Sequence, residues 1–155
     1  MSEDELIKKT LEKSKTIAMV GVSSIKNEVS TNIRRRPSTI VMKYMQEFGY
    51  RVIPVNPFSV GEKIHGETVV AKLEDIKFPV DIVDVFRPSK ETPKIAEEAI
   101  KIETKVFWLQ YGIQNDEAKK IVEKKNIFYV SNKCIKQEYQ RLFLKVSPVF
   151  PALKK

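Results

Sequence analysis

A short turn with phosphate-binding chemistry follows the first apolar run of the chain, residues 16–20. It contains Gly21, Val22 and Ser23, where glycine lets a ligand approach the backbone closely and the amides and hydroxyl donate hydrogen bonds to phosphate oxygens. Because many strands end in glycine for structural reasons alone, this turn by itself is a weak signal. It predicts a phosphate-binding loop only together with other features.

Four basic residues come between this turn and the next predicted helix: Lys26, Arg34, Arg35 and Arg36. Guanidinium groups form forked hydrogen bonds with a phosphomonoester, whose charge is about −1.5 to −2. The chain of 155 residues has a formal net charge of +8, which also favours an anionic partner. Charge alone leaves nucleic acid, an acidic membrane surface and a phosphorylated small molecule as alternatives, and a solvated basic loop is the plainer interpretation of each arginine.

The second apolar run ends in Asn56 and Pro57. Enzymes that bind NAD usually have an acidic residue at this place, which accepts from the ribose hydroxyls and would repel a ribose phosphate. Neither G-x-G-x-x-G nor G-x-x-x-x-G-K-S/T occurs in the chain. These features count against ordinary dehydrogenases and P-loop ATPases.

The ionisable residues elsewhere form no recognisable catalytic or metal-binding pattern. His65 is the single histidine and has no cysteine or carboxylate cluster at metal-ligand spacing around it. Asp81 and Asp84 stand three residues apart in a predicted strand, so their side chains point to opposite faces. Cys134 could form a mixed disulfide with a bound thiol, although a buried structural cysteine is favoured. We therefore assign no catalytic residue and no metal, and a binding protein is favoured over an enzyme.

Alternating strands and helices are needed to bring these residues together, and the hydrophobic pattern predicts them. Predicted strands cover residues 16–21, 51–57, 67–70, 80–86, 105–109 and 127–130, and predicted helices cover 3–15, 38–48, 90–102, 115–124 and 135–145. This alternation predicts a single-domain α/β fold, Rossmann-like and doubly wound, with a mainly parallel sheet and helices on both faces. The domain is expected to cover residues 1–147, followed by a tail at 148–155.

Some side-chain positions and the compartment can also be predicted. Ser38 is expected to cap the second helix and Gly49 to end it. The inward-facing residues of that helix are expected to be Ile40, Val41, Tyr44, Met45 and Phe48. Trp108 is expected in the core. The absence of a secretory signal or a membrane span, together with the lone cysteine, predicts a cytoplasmic protein.

Six strings of the sequence resemble the small CoA-binding proteins, whose domain is similar to the nucleotide-binding domain of the succinyl-CoA synthetase alpha subunit. They occur in the order expected of that family, over roughly residues 4 to 145. The strings are TIAMVGVS (16–23), RPS (36–38), GYRVIPVNP (49–57), VDIVDVFR (80–87), VFWLQ (106–110) and KCIK (133–136). The segment 26–36 departs from the family pattern, because it is longer and more basic.

The resemblance implies that coenzyme A binds across the strand ends of a Rossmann-like fold. It implies that Gly21, Ser23, Arg36 and Ser38 lie near phosphate groups. The full set of cofactor-binding residues expected from it is Gly21, Val22, Ser23, Arg36, Ser38, Asn56, Pro57, Phe86, Arg87, Gln110, Gly112, Cys134 and Ile135.

The leading hypothesis is a non-catalytic protein that binds coenzyme A or an acyl-CoA. An enzyme that uses NADP or a CoA thioester is the alternative, because Arg36 suits a ribose phosphate equally well and the fold hosts much redox chemistry. Nucleic-acid binding through surface charge is a third hypothesis, which no motif supports. The partner is thus expected to be a small nucleotide cofactor rather than nucleic acid or a membrane, and the sequence leaves the oligomeric state open.

Overall fold

The first helix is α1 (Glu3–Lys13), which is held by a capping box at its start. The hydroxyl of Ser2 accepts a hydrogen bond from the Glu5 amide at 3.1 Å, and the Glu5 carboxylate accepts one from the Ser2 amide at 3.0 Å. Two apolar residues of α1, Ile7 and Leu11, are buried. The structure, a computed structural model, describes residues 1–22 and 38–145. The predicted boundary at residue 147, the tail at 148–155 and the loop 26–36 lie outside these residues.

Five parallel strands form the main sheet, in the order β2-β1-β5-β6-β7. They are β1 (Thr16–Val20), β2 (Arg51–Val55), β5 (Ile82–Val85), β6 (Val106–Leu109) and β7 (Phe128–Val130). A separate antiparallel hairpin consists of β3 (Lys63–Ile64) and β4 (Glu67–Thr68). The sequence predicted a strand over 67–70 but not its partner, because pairs of two residues are too short to show a period of two.

Helices cover both faces of this sheet, which confirms the predicted doubly wound fold. The remaining helices are α2 (Ser38–Glu47), α3 (Thr92–Lys101), α4 (Asp116–Glu123) and α5 (Ile135–Tyr139), and α5 continues into a π-helical turn, Gln140–Leu144. Helices α1, α2 and α5 pack on one face, against residues such as Met19. Helices α3 and α4 pack on the other face, against residues such as Val83. Because helices cover both faces of the sheet, strands such as β1, β5 and β6 are buried on both sides, which explains their continuous apolar sequences.

The orientation of α2 differs from the prediction. Val41 and Met45 are buried as expected, but Ile40 is 45% exposed and Phe48 is 39% exposed. Met42, which was not predicted to face inward, is fully buried. The inward placement of Ile40 and Phe48 was therefore wrong, because the helix is rotated about its axis and only tertiary packing fixes that rotation.

The strand order places a crevice at the carboxyl end of β1. The chain runs from β1 through α2 to β2 on one face, and from β5 through α3 to β6 on the opposite face. In open α/β sheets, ligands bind where the connections diverge in this way, outside the carboxyl ends of the strands. No helix in the part of the chain that the structure describes is long and apolar enough to cross a membrane.

Candidate functional site

A cavity of about 640 Å³ lies at the carboxyl ends of β1 and β2. Its walls come from the strand ends, from residues 56–58 and 71–73, and from one face of α3 with the residues that precede it. The floor is apolar and includes Val55, Leu73 and Ile95, while charged side chains surround the opening. This size falls in the range of about 300 to 1,000 Å³ that small-molecule sites occupy.

Gly21 forms part of the cavity wall and is required there by the packing of the chain. Its φ is +97°, and a Cβ atom at this position would lie 2.9 Å from the Arg87 Cδ and 2.9 Å from the Phe86 carbonyl oxygen. The Gly21 amide donates a hydrogen bond to the Val55 carbonyl at 2.8 Å. The glycine therefore has a structural reason that is independent of any ligand.

Asn56 joins the ends of the first two strands. Its side-chain amide donates to the Val22 carbonyl at 2.9 Å, and its side-chain oxygen accepts from the Phe58 amide at 2.9 Å. The side chain is buried, and an aspartate could not donate the first of these bonds. An amide rather than a carboxylate is thus fixed by the fold, and it leaves the end of β2 without negative charge.

Arg87 is already paired at the cavity opening. Its guanidinium donates two hydrogen bonds of 2.9 Å to the Glu91 carboxylate, and these bonds lower the pKa of Glu91. Three lysines on the cavity wall, Lys72, Lys90 and Lys94, have no salt bridge among the described residues. With Glu98 as the second carboxylate, the lining holds four cations and two anions. The opening therefore attracts an anionic ligand.

A second group of predicted site residues lies beyond the end of β6. The Gln110 side-chain oxygen accepts a hydrogen bond from the Ile135 amide at 3.1 Å. Cys134 is only 5% exposed, and burial raises the pKa of its thiol. A buried thiol of raised pKa is a poor nucleophile, so the interpretation of Cys134 as a structural cysteine is favoured over a redox role.

The two aspartates of the β5 region serve different purposes. Asp81 accepts hydrogen bonds from the amides of Lys15 at 2.8 Å and Thr16 at 3.2 Å, which fixes the start of β1. Asp84 is fully buried, and neither of its carboxyl oxygens has a hydrogen-bond partner in the described part of the chain. Burial raises the pKa of Asp84 well above its ordinary value, which favours the neutral form of the carboxyl. The pair does not form an acid/base site.

The structure brings four of the predicted site residues to the cavity. The four are Gly21, Asn56, Pro57 and Arg87. Three more are buried in the fold, namely Val22, Ser38 and Phe86. Gly112 has a φ of +84° and donates to the Asn132 side chain at 2.7 Å. Ser23 and Arg36 lie outside the described residues, as do Lys26, Arg34 and Arg35.

Two features of the cavity were not predicted from the sequence, namely Phe58 and the charged side of α3 together with Lys90 just before it. Lys90, Lys94 and Glu98 recur every four residues and line the cavity together. This spacing is visible in the sequence, but only the packing of α3 against the strand ends shows that it faces a cavity.

Trp108 lies in the core, as expected, and His65 lies in the turn between β3 and β4. Trp108 is fully buried, and its indole N–H donates to the Lys133 carbonyl at 2.8 Å. The His65 ring contacts the Thr39 carbonyl at 2.9 Å. Within residues 1–22 and 38–145, no group of three or more His, Cys, Asp or Glu side chains is arranged to hold a metal ion.

Comparison with known proteins gives four strong likenesses. The family described as CoA binding domain matches residues 15–140. The uncharacterized protein YneT of Bacillus subtilis (strain 168) is 40% identical over 130 residues, which are 84% of this chain and 89% of that protein. The solved structure of cell-free ID.343 from Thermus thermophilus is 37% identical with a TM-score of 0.82, and the match covers 92% of this chain and 100% of the other. A hypothetical protein from Pyrococcus horikoshii OT3 is 37% identical with a TM-score of 0.80, over 91% of this chain and 92% of the other.

Proposed function

This chain belongs to the CoA binding domain family, and from that premise we propose that it binds coenzyme A or an acyl-CoA at the carboxyl ends of β1, β2 and β5. The observation that carries the proposal is the cavity of about 640 Å³ with its apolar floor and its excess of cations at the opening. Such a cavity suits a ligand that combines an apolar ring with several phosphate oxygens. Coenzyme A has this composition.

The phosphate groups of the ligand meet two sources of positive charge in this proposal. The diphosphate is proposed to bind at the turn after β1 and at the start of α2, with Gly21 and Ser38 as its partners there. Ser23 and Arg36, which lie outside the described residues, are the further partners that the family resemblance implies. The ribose phosphate lies at the cavity opening, near the three lysines of its wall. Asn56 supports this placement, since a carboxylate at the end of β2 would repel that phosphate.

The pantetheine arm extends away from the cavity along the ends of β5 and β6. The residues proposed to lie along it are Val22, Phe86, Gln110, Gly112, Cys134 and Ile135. Bonds within the protein already use the Gln110 oxygen and the Gly112 amide, so this half of the site offers mainly shape and apolar contact.

A binding role without catalysis fits the ionisable groups of the described site. Burial raises the pKa of the Cys134 thiol and the pKa of the Asp84 carboxyl. Neither group is poised to act as a nucleophile or as a general base.

The test is calorimetric titration of the ligand-free protein with coenzyme A, dephospho-CoA, NADP and NAD at low and high salt. We expect the tightest binding for coenzyme A, a clear loss for dephospho-CoA, and weakening of both by salt. Preference for NADP would favour the alternative of an NADP-dependent enzyme. No binding of any of the four would overturn the proposed function.

A further inference from the structure

Phe58 is a large apolar side chain that the fold leaves in solvent. It is 87% exposed, which is more than any other large apolar side chain in the described residues. Asn56 and Ser59 in the same turn are buried, while Pro57 and Val60 are exposed beside Phe58. Since the ring adds nothing to the core, packing of the free protein does not explain why a phenylalanine stands here.

The backbone that carries Phe58 is held in place on both sides. The Phe58 amide donates to the Asn56 side chain at 2.9 Å, and the same side chain is anchored on the Val22 carbonyl. The Ser59 amide donates to the Asn56 carbonyl at 3.2 Å, and Pro57 restricts the turn between them. The base of the Phe58 side chain is therefore fixed before any ligand arrives.

Phe58 also belongs to the wall of the cavity at the ends of β1 and β2. The same cavity is also lined by apolar side chains, Leu73 from the segment after β4 and Ile95 from α3. Lysines, among them Lys72 and Lys94, stand at the opening of the same cavity. An exposed aromatic ring, an apolar floor and nearby cations form a surface for a flat heterocycle that carries a phosphate.

We propose that Phe58 is the platform on which the adenine ring of bound coenzyme A stacks, an inference that rests on the proposed function. The adenine is the one flat aromatic part of that ligand, and stacking of a base on an aromatic side chain is tolerant of base identity. The ligand covers the ring that folding leaves exposed, and the fixed turn reduces the entropy that this contact costs.

Phe78 provides a matched control within the same protein. It is also partly exposed, at 37%, but the Arg51 guanidinium stands 4.5 Å from its ring centroid. It lines a different depression, beside the β3–β4 hairpin. A change at Phe78 removes an exposed ring without touching the proposed adenine site.

The test compares Phe58→Ala, Phe58→Trp and Phe78→Ala in titrations with coenzyme A and with 4′-phosphopantetheine, which lacks the adenosine. We expect Phe58→Ala to weaken coenzyme A binding by roughly 5- to 100-fold, by analogy with base stacking in single-stranded nucleic acids. Phe58→Trp should bind coenzyme A at least as tightly as the original chain, and Phe78→Ala should bind it unchanged. Affinity for 4′-phosphopantetheine should be the same in all four proteins.

Three outcomes would overturn the inference. The first is unchanged affinity of Phe58→Ala for coenzyme A, while the original chain binds it. The second is an equal loss for 4′-phosphopantetheine, which would mean that the change disturbed the site as a whole. The third is failure of the original chain to bind coenzyme A, which overturns the proposed function as well and so is distinguishable from the other two. Thermal unfolding should be unaltered in Phe58→Ala, because the ring is not packed in the core.

Discussion

The carboxyl edge of the sheet has two halves that are built differently. In the open half, at the ends of β1 and β2 and next to Arg87 after β5, the chain leaves a cavity with an exposed ring at its wall and with lysines that have no salt bridge among the described residues. In the closed half, beyond the end of β6, the polar groups are turned inward, as the buried Gln110 and Cys134 show. The comparison indicates that charge and aromatic contact act on a ligand in the first half, while the second half mainly provides a rigid surface.

The largest loss of coenzyme A affinity is expected from Asn56→Asp, a change in the open half. The variant loses the hydrogen bond to the Val22 carbonyl and gains a negative charge beside the proposed ribose phosphate. We expect coenzyme A affinity to fall by roughly 100-fold or more and the free energy of unfolding to fall by about 1–3 kcal/mol, since a buried bond is lost. Calorimetric titration and urea unfolding measure the two effects.

Asn115→Asp is the matched control for that variant. Asn115 also donates to a carbonyl, that of Ser89 at 3.0 Å, and also accepts from an amide, that of Ala118 at 2.9 Å. It lies at the start of α4, apart from the cavity lining. Its change should lower stability with little loss of affinity. An equal loss of affinity in both variants would show that stability, and not charge at the end of β2, controls binding.

The next largest loss of coenzyme A affinity is expected from the double change Lys72→Ala and Lys94→Ala. Both ammonium groups lie at the cavity opening without a salt-bridge partner in the described residues. We expect a loss of roughly 10- to 100-fold for coenzyme A, a smaller loss for dephospho-CoA, and a weaker dependence of affinity on salt. Lys101→Ala, at the far end of α3, is the control. Equal losses for the two ligands would exclude the ribose phosphate as the partner of these lysines.

The third prediction concerns the stability of the protein and Asp84, which is buried within β5. Asp84 keeps its proton in the folded protein because burial raises its pKa, whereas the unfolded chain releases that proton above about pH 4. Folding therefore binds a proton, and the stability of the original chain falls as the pH rises from this value toward the raised pKa. Asp84→Asn has no proton to lose. Its advantage in the free energy of unfolding should grow from pH 4 to pH 8, and urea unfolding at both values measures it; an advantage independent of pH would contradict a neutral Asp84.

The contrast between these halves was only partly visible in the sequence. The strands around Gly21 and Asn56 could be predicted, because apolar runs buried on both faces and the residues that end them are local signals. The roles of Phe58 and Lys72 could not, since they depend on which segments meet across the chain. The same holds for Ile40, whose exposure follows from the rotation of α2 against the sheet. Nothing in a strand pattern tells which polar residue, here Asp84, loses all contact with water.

The smallest change in coenzyme A affinity is expected from Glu91→Gln. This variant tests how Arg87 contributes to binding in the open half. The Arg87–Glu91 pair is more than a third exposed on both sides, so its loss should change the free energy of unfolding by only about 0–1 kcal/mol. If Arg87 acts through charge, removing the carboxylate makes the opening more positive, and coenzyme A affinity should rise by roughly two- to threefold. Glu98→Gln removes the other carboxylate of the lining and should give a rise of similar size.

A fall in coenzyme A affinity instead of a rise would indicate a different role for Glu91. A fall in affinity in Glu91→Gln, with a rise in Glu98→Gln, would show that Glu91 orients the Arg87 guanidinium toward the ligand. In that case the two hydrogen bonds of 2.9 Å between Arg87 and Glu91 preorganise the binding site, because an arginine held in one orientation loses less freedom when it meets a phosphate. The open half would then rely on a fixed contact at the end of β5, as well as on the charge of its lysines.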